Sequence, residues 1–74
     1  MGLHFTYTII THRDPHNLIL GYSWEIITSG AKIVNHNLIG SKNECFLSLK
    51  KHMLKFLNLN VNQRSVKNRE VIGT

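Results

Sequence analysis

The segment Tyr22–Leu57 constrains the fold more than any other part of the chain. Aromatic and β-branched residues on both sides of Gly30 predict two strands, and Gly30 can take the positive φ that a tight turn requires. Ser41 and Glu44 then form a capping box, in which each side chain can accept the other residue's backbone N–H. The segment therefore predicts a ββα unit whose helix begins directly after Ser41.

One more strand is predicted before this unit. Phe5–His12 alternates with a period of two, which is typical of a half-buried strand, and a turn around Pro15 follows it. The second and third strands are then Leu18–Thr28 and Ala31–Leu38. Because consecutive strands with short connections usually pair side by side, we expect an α+β fold, with a three-stranded antiparallel sheet packed against one C-terminal helix.

The predicted helix has one apolar face and ends near Asn58, a residue type that is tolerated where a helix stops. Trp24 is expected in the core beneath the helix, because a domain this small needs its large aromatic residue for packing. Residues 1–60 are expected to form one domain, and residues 61–74 a flexible basic tail or a short added strand. At 100° per residue, the apolar helix face consists of Cys45, Phe46, Leu49, Met53, Phe56 and Leu57.

The length of the chain limits its function. With 74 residues it can form one small core, but one copy is too short to build a deep pocket. We therefore expect a non-enzymatic binding protein without a cofactor or a small-molecule substrate. The single cysteine excludes an internal disulfide and indicates a reducing, cytoplasmic compartment. Since no apolar run approaches the roughly 20 residues that span a bilayer, and no signal-peptide pattern is present, we expect no membrane contact.

Two groups of residues resemble catalytic or metal sites, and both have simpler interpretations. His12 and His16 have a spacing that zinc sites use on helices, but they flank a predicted loop and lack a second pair of ligands. Cys45 and His52 would lie about 10.5 Å apart along a helix, which is beyond hydrogen-bond distance. Exposed loop histidines and a buried core cysteine explain the same residues, so we predict no metal site and no catalytic residue.

The chain is basic, with a formal net charge of +5 at pH 7. This balance favours an acidic partner, either nucleic acid or an acidic host protein. The cations can equally form an ordinary solvated surface. If they contact phosphates, they give affinity rather than sequence specificity. The predicted nucleic-acid-binding residues are Lys32, Lys42, Lys50, Lys51, Lys55, Arg64, Lys67 and Arg69.

Leu47 and Leu54 lie seven residues apart, away from the apolar face of the predicted helix. Isolated surface leucines are common in proteins and need no explanation. A small domain, however, gains stability from a second subunit or a partner. We therefore expect these two leucines to form a seam for a homodimer or for another protein.

Residues 22–55 resemble the YegP-type small ββα domains. The resemblance implies a strand, a glycine turn, a second strand and a helix that starts at a Ser-Lys pair. The tandem repeat that is typical of that family is missing here, and an extra N-terminal strand is present. That family has no settled biochemical role, so it implies little about function. The motifs that carry the resemblance are Trp24-x-Ile26, Gly30-x-x-Ile33, Leu38-x-x-Ser41-Lys42-x-x-Cys45 and Leu49.

The predicted outline is also similar to the AP2-like arm-binding domains of phage and transposon integrases. In those domains a three-stranded sheet packs on one C-terminal helix, and the sheet face enters the DNA major groove. The resemblance implies that Thr8, Ser23, Glu25, Lys32 and the region of Lys42 would approach DNA.

Two hypotheses on function follow. The first is a small accessory protein of a phage or mobile element that contacts DNA through a basic helix face and tail. The alternative is a phage-encoded inhibitor or adaptor that binds a host protein, for example a defence complex. It would use a free sheet edge and the helix surface, since free edges accept an additional strand.

Overall fold

The computed structural model describes residues 4–73, and the α+β class with one helix is confirmed within that range. Residues 1–3 of the predicted domain and residue 74 of the predicted tail lie outside the described range. The elements are β1 Thr6–Arg13, β2 Ile19–Thr28, β3 Ala31–Val34, α1 Lys42–Leu57, a 3₁₀ turn Gln63–Ser65 and β4 Val66–Ile72.

The four strands form one mixed sheet in the order β3-β2-β1-β4. β2 is antiparallel to both β1 and β3, whereas β4 runs parallel to β1. The three predicted strands are antiparallel as expected. The prediction is wrong in strand number and in the C-terminal position of the helix, because β4 follows α1 and adds a parallel strand. Residues 66–72 of the predicted tail form β4, a longer strand than the short one considered. Parallel neighbours require a crossover connection, which α1 supplies. Because no hairpin turn precedes β4, the local sequence does not indicate its pairing.

The core lies between α1 and one face of the sheet. Ile9, Trp24 and Ile26 are each less than 5% exposed on that face. The indole N–H of Trp24 donates to Ser48 Oγ at 3.0 Å, which satisfies the polar atom of a buried ring. The expected core position of Trp24 is confirmed. The residues of α1 and of the segment after it that pack against this face are Cys45, Phe46, Leu49, Met53 and Val61.

The last turn of α1 departs from the prediction. Phe56 and Leu57 are 63% and 43% exposed, so their assignment to the buried face is wrong. The ring of His52 lies between Trp24 and Phe56, with centroid distances of 5.0 Å and 4.6 Å. Phe56 therefore packs on a side chain of its own helix, and the buried face of the helix ends at Met53.

Local signals at the helix ends and the β2–β3 turn are confirmed. Ser41 Oγ accepts the Glu44 N–H at 3.3 Å, which caps the start of α1 and is the first of the two hydrogen bonds of the predicted capping box. Asn58 ends the helix with a left-handed φ of 53°, and its N–H donates to the Leu54 carbonyl. Gly30 has a φ of 79° in the turn, as its position requires.

The second face of the sheet carries no helix within residues 4–73, and we call it the open face. Strand alternation and the register of the four strands determine which side chains lie there. They are Thr6, Thr8, Ile10, His12, Ser23, Glu25, Ile27, Lys32, Val34, Lys67, Arg69 and Val71.

Candidate functional site

The open face collects cations from both edges of the sheet. β4 lies beside β1, so Lys67 pairs with Thr8 and Arg69 pairs with Ile10 in the strand register. At the opposite edge, β3 places Lys32 beside Ile27. Three of the predicted nucleic-acid-binding residues therefore share one surface, although they are distant in sequence.

A carboxylate lies at the centre of this surface. Glu25 is 1% exposed, yet both of its oxygens meet cations from the edge strands. Lys32 Nζ lies 2.9 Å from Glu25 Oε1, and Arg69 Nη2 lies 3.2 Å from Oε2. Oε2 has no well-aligned hydrogen bond among the described residues, so Arg69 acts on it mainly through charge. The two cations converge from opposite edges and cover the carboxylate.

The pKa of Glu25 determines the charge of this centre. The Lys32 ammonium, donating to the carboxylate, lowers the pKa of Glu25 below its ordinary value by more than burial raises it. The positive charge of Arg69 adds to the lowering. Glu25 is therefore ionised at neutral pH, and it holds Lys32 and Arg69 in place on the open face.

Hydroxyl and imidazole groups surround the charged centre. His12 Nε2 lies 2.7 Å from Ser23 Oγ, which ties β1 to β2 on the open face. Thr8 and Ser23 are less than 10% exposed, so their hydroxyls are covered by longer neighbours. Lys32 and Arg69 keep side-chain exposures of 63% and 52%. Lys32 and Arg69 are therefore the groups of the charged centre that can reach a partner, and the exposed apolar residues Ile27, Val34 and Val71 lie on the same face.

The other predicted cations do not join this surface. Lys50, Lys51 and Lys55 lie on α1, which covers the opposite side of the sheet. Lys42 lines a groove between α1 and β4, and Arg64 lies in the 3₁₀ turn. Of the five residues implied by the resemblance to integrases, Thr8, Ser23, Glu25 and Lys32 share the open face, and Lys42 does not.

The predicted leucine seam lies on the outer surface of α1. Leu47 and Leu54 are 52% and 45% exposed, so both are accessible to a partner. Their role in dimer formation stays a prediction.

The Cys45 thiol has the environment of a core residue. Its exposed fraction is 0%, and burial raises the pKa of the thiol to about 11. The thiolate is the nucleophilic form, so this environment suppresses thiol chemistry. Within residues 4–73, no three His, Cys, Asp or Glu side chains are grouped in a way that could hold a metal ion. No helix in the same range has the length and apolar character to cross a membrane.

We expect the Cys45 thiol of the folded protein to react with Ellman's reagent about 100-fold more slowly at about pH 8 than the thiol of the denatured chain. A raised pKa leaves less thiolate at a given pH, so the native reaction should accelerate only as the pH approaches 11 or the protein unfolds. A His52→Gln variant should react at the wild-type rate. A fast native reaction that this change slows would instead reveal an activated thiol.

An apolar surface that was not predicted from the sequence lies at one end of the sheet. Leu18, Ile19, Leu20, Val71 and Ile72 are each at least 40% exposed, and we call them the apolar end. In the strand register, Ile19 and Ile72 both pair with the same β1 residue, so the β1–β2 hairpin and the end of β4 meet there. The run of three consecutive apolar residues was the available signal, because it breaks the alternation of a half-buried strand.

The motif resemblances stay hypotheses after comparison with known proteins. No family model, no curated protein and no solved structure matches this chain.

Proposed function

We propose that this protein is a non-enzymatic DNA-binding protein that contacts the phosphate backbone with its open face. The observation that carries the proposal is the position of β4, which adds Lys67 and Arg69 to the face that already holds Lys32. The face carries three cations and one buried carboxylate, so it keeps a positive balance that attracts a polyanion.

The cations differ in how they would contact phosphate. Lys32 and Arg69 are held by Glu25, which fixes their positions before a partner arrives. Fixed donors lose less conformational entropy on binding. Lys67 has no ion pair among residues 4–73, so its full charge is available to a phosphate. Phosphate contacts of this kind give affinity with little sequence specificity.

The DNA contact would then lie on the open face of the sheet and not on the helix. The lysines on α1 and Arg64 would at most add to the long-range attraction. In this proposal the protein acts as an accessory protein of a phage or mobile element in the reducing cytoplasm of its host. The free, buried Cys45 suits such a compartment.

We expect Lys67→Gln to weaken DNA binding and to lower the magnitude of its salt dependence. Loss of one phosphate contact should reduce the slope of log K against log salt by about 0.9 for duplex and about 0.7 for single strands. Fluorescence anisotropy with a labelled oligonucleotide, titrated between about 50 and 200 mM salt, measures both quantities. Lys51→Gln on the outer surface of α1 is the matched control and should leave the slope unchanged.

Two results would contradict DNA binding through the open face. One is the absence of binding to duplex and single strands at low salt, where phosphate contacts are strongest. The other is an equal loss of affinity in the Lys67→Gln and Lys51→Gln variants.

A second candidate function is protein binding, as an inhibitor or adaptor. The apolar end favours it, because clustered exposed apolar side chains commonly mark protein interaction sites. Leu47 and Leu54 would add a further contact on α1. Protein binding becomes the favoured function if the protein does not bind DNA at low salt.

A further inference from the structure

A groove separates α1 from β4 on the helix side of the sheet. α1 crosses β1 and β2 and makes few contacts with β4, so one side of β4 stays uncovered. The groove is partly open to solvent and has a volume of about 370 Å³. Its lining consists of apolar residues of the sheet and helix, three carboxamides and one cation, namely Ile9, Phe46, Val66, Asn43, Gln63, Asn68 and Lys42.

The groove borders a strand edge with free hydrogen-bonding groups. Within residues 4–73, β4 pairs with β1 on one side and with no strand on the other. The Gly73 N–H donates to the Arg13 carbonyl at 2.8 Å, so odd-numbered residues of β4 direct their backbone groups to β1. By strand alternation, Asn68, Glu70 and Ile72 direct theirs to the free edge.

An additional strand on this edge would place its side chains in two different environments. Side chains on the helix side would lie next to Val66 and Asn68, the β4 residues that line the groove. Side chains on the other side would lie beside Lys67 and Arg69, which are two residues apart, or about 6.6 Å along the strand. That spacing matches two acidic residues separated by one residue in an extended chain.

We propose that the free edge of β4 binds an extended acidic segment of a partner protein, in which apolar side chains alternate with Glu or Asp. The backbone of the segment would continue the sheet, an apolar side chain would fill the groove, and the acids would pair with Lys67 and Arg69. This mode of recognition combines main-chain hydrogen bonds with side-chain pockets. It shares Lys67 and Arg69 with the proposed DNA contact and differs from that contact in its use of the backbone edge of β4.

A second copy of this chain fits the edge poorly. Antiparallel pairing of two β4 strands about their centre sets Arg69 against the same residue of the second copy. If the centre of the pairing moves to residue 70, Glu70 lies opposite Glu70 of the second copy. If it moves to residue 68, Lys67 lies opposite Arg69. Like charges directly opposite each other destabilise a strand pair. The four acids of the sequence, Asp14, Glu25, Glu44 and Glu70, also lie far apart, so no segment of a second copy supplies the alternating pattern.

The test uses the labelled peptide Thr-Leu-Glu-Val-Glu-Leu-Thr and its counterpart with Lys in place of Glu, measured by fluorescence anisotropy. The acidic peptide should bind at least about tenfold more tightly than the basic one, since two ion pairs replace two repulsions. Lys67→Glu should weaken binding of the acidic peptide by about fivefold to tenfold. Lys51→Glu, the matched change on α1, should have no effect.

Asn68→Pro tests the strand edge itself. The Asn68 N–H points to the free edge, so proline removes a donor for the partner and none for β1. This variant should lose peptide binding and keep its DNA affinity, with thermal unfolding confirming the native fold. If proline prevents folding, the effects of Lys67→Glu and Lys51→Glu on the affinity for the acidic peptide decide whether this edge is the binding site.

Several outcomes would overturn the proposal. They are equal affinity for the two peptides, equal effects of Lys67→Glu and Lys51→Glu, or undiminished binding by folded Asn68→Pro. A dimer in light scattering that Asn68→Pro dissociates would assign the edge to a second copy. An equal loss of DNA affinity in Asn68→Pro would assign the groove to nucleic acid.

Discussion

Replacing Lys32 and Arg69 together with methionine is expected to lower the free energy of unfolding by about 3–5 kcal/mol at neutral pH. Glu25 has an exposed fraction of only 1% in the native protein, so it would then be a buried carboxylate without a cation. Methionine keeps much of the aliphatic chain that covers the carboxylate and removes the charge together with the N–H donors. Urea unfolding followed by Trp24 fluorescence measures the loss.

The pH dependence of this variant tests the cause. In the native protein the pKa of Glu25 is lowered, so the stability it contributes is fully present above its ordinary value and is lost as the pH falls through the lowered pKa. Without the two cations, burial alone would raise the pKa of Glu25 above its ordinary value. Protonation of Glu25 then removes the buried charge from the variant. The difference in the free energy of unfolding between the variant and the native protein should therefore shrink between pH 7 and about pH 4.

Two further variants act as controls. Glu25→Gln in the same background removes the buried charge and should recover most of the lost stability. Lys51→Met with Lys55→Met makes the same charge change on α1, where surface changes usually stay within about 0.5 kcal/mol each. A loss in the Lys32 and Arg69 variant that is below about 1 kcal/mol, or that is independent of pH, would contradict a central role for Glu25.

Local features of the fold were predictable because short-range chemistry determines them. The Ser41 cap, the end of α1 at Asn58 and the turn at Gly30 each depend on a few adjacent residues. The two faces of β1 and β2 follow from strand alternation, and the burial preference of a large aromatic ring placed Trp24 correctly in the core. Phe56 departs from the helical pattern because the ring of His52 occupies the space beside Trp24.

The arrangement of the candidate site was not predictable from local sequence. The cations were identified individually, but only the pairing of β4 with β1 brings Lys67 and Arg69 to the face that holds Lys32. The burial of Glu25 depends on the same long-range pairing, because the two residues that cover it come from opposite edges of the sheet. The β-branched residues Val66, Val71 and Ile72 were the remaining signal for β4, and they are too few to indicate a partner strand.

Leu49→Ala is expected to lower the free energy of unfolding by about 2–5 kcal/mol. Leu49 has an exposed fraction of 0% and packs between α1 and the sheet, so its removal leaves a cavity in a small core. That loss is a large part of the roughly 5–15 kcal/mol that stabilises a typical domain. Leu47→Ala is the matched control, because Leu47 lies on the same helix and is 52% exposed.

The control also tests the predicted leucine seam. In a monomer, Leu47→Ala and Leu54→Ala should each change the free energy of unfolding by less than about 0.5 kcal/mol. If the seam joins two copies, the stability of the native protein should rise with protein concentration, and both variants should remove that dependence. The packing of α1 described above would be contradicted if Leu49→Ala destabilised the protein no more than Leu47→Ala. Unfolding measured over a wide range of protein concentrations therefore separates the contribution of the core from that of an interface.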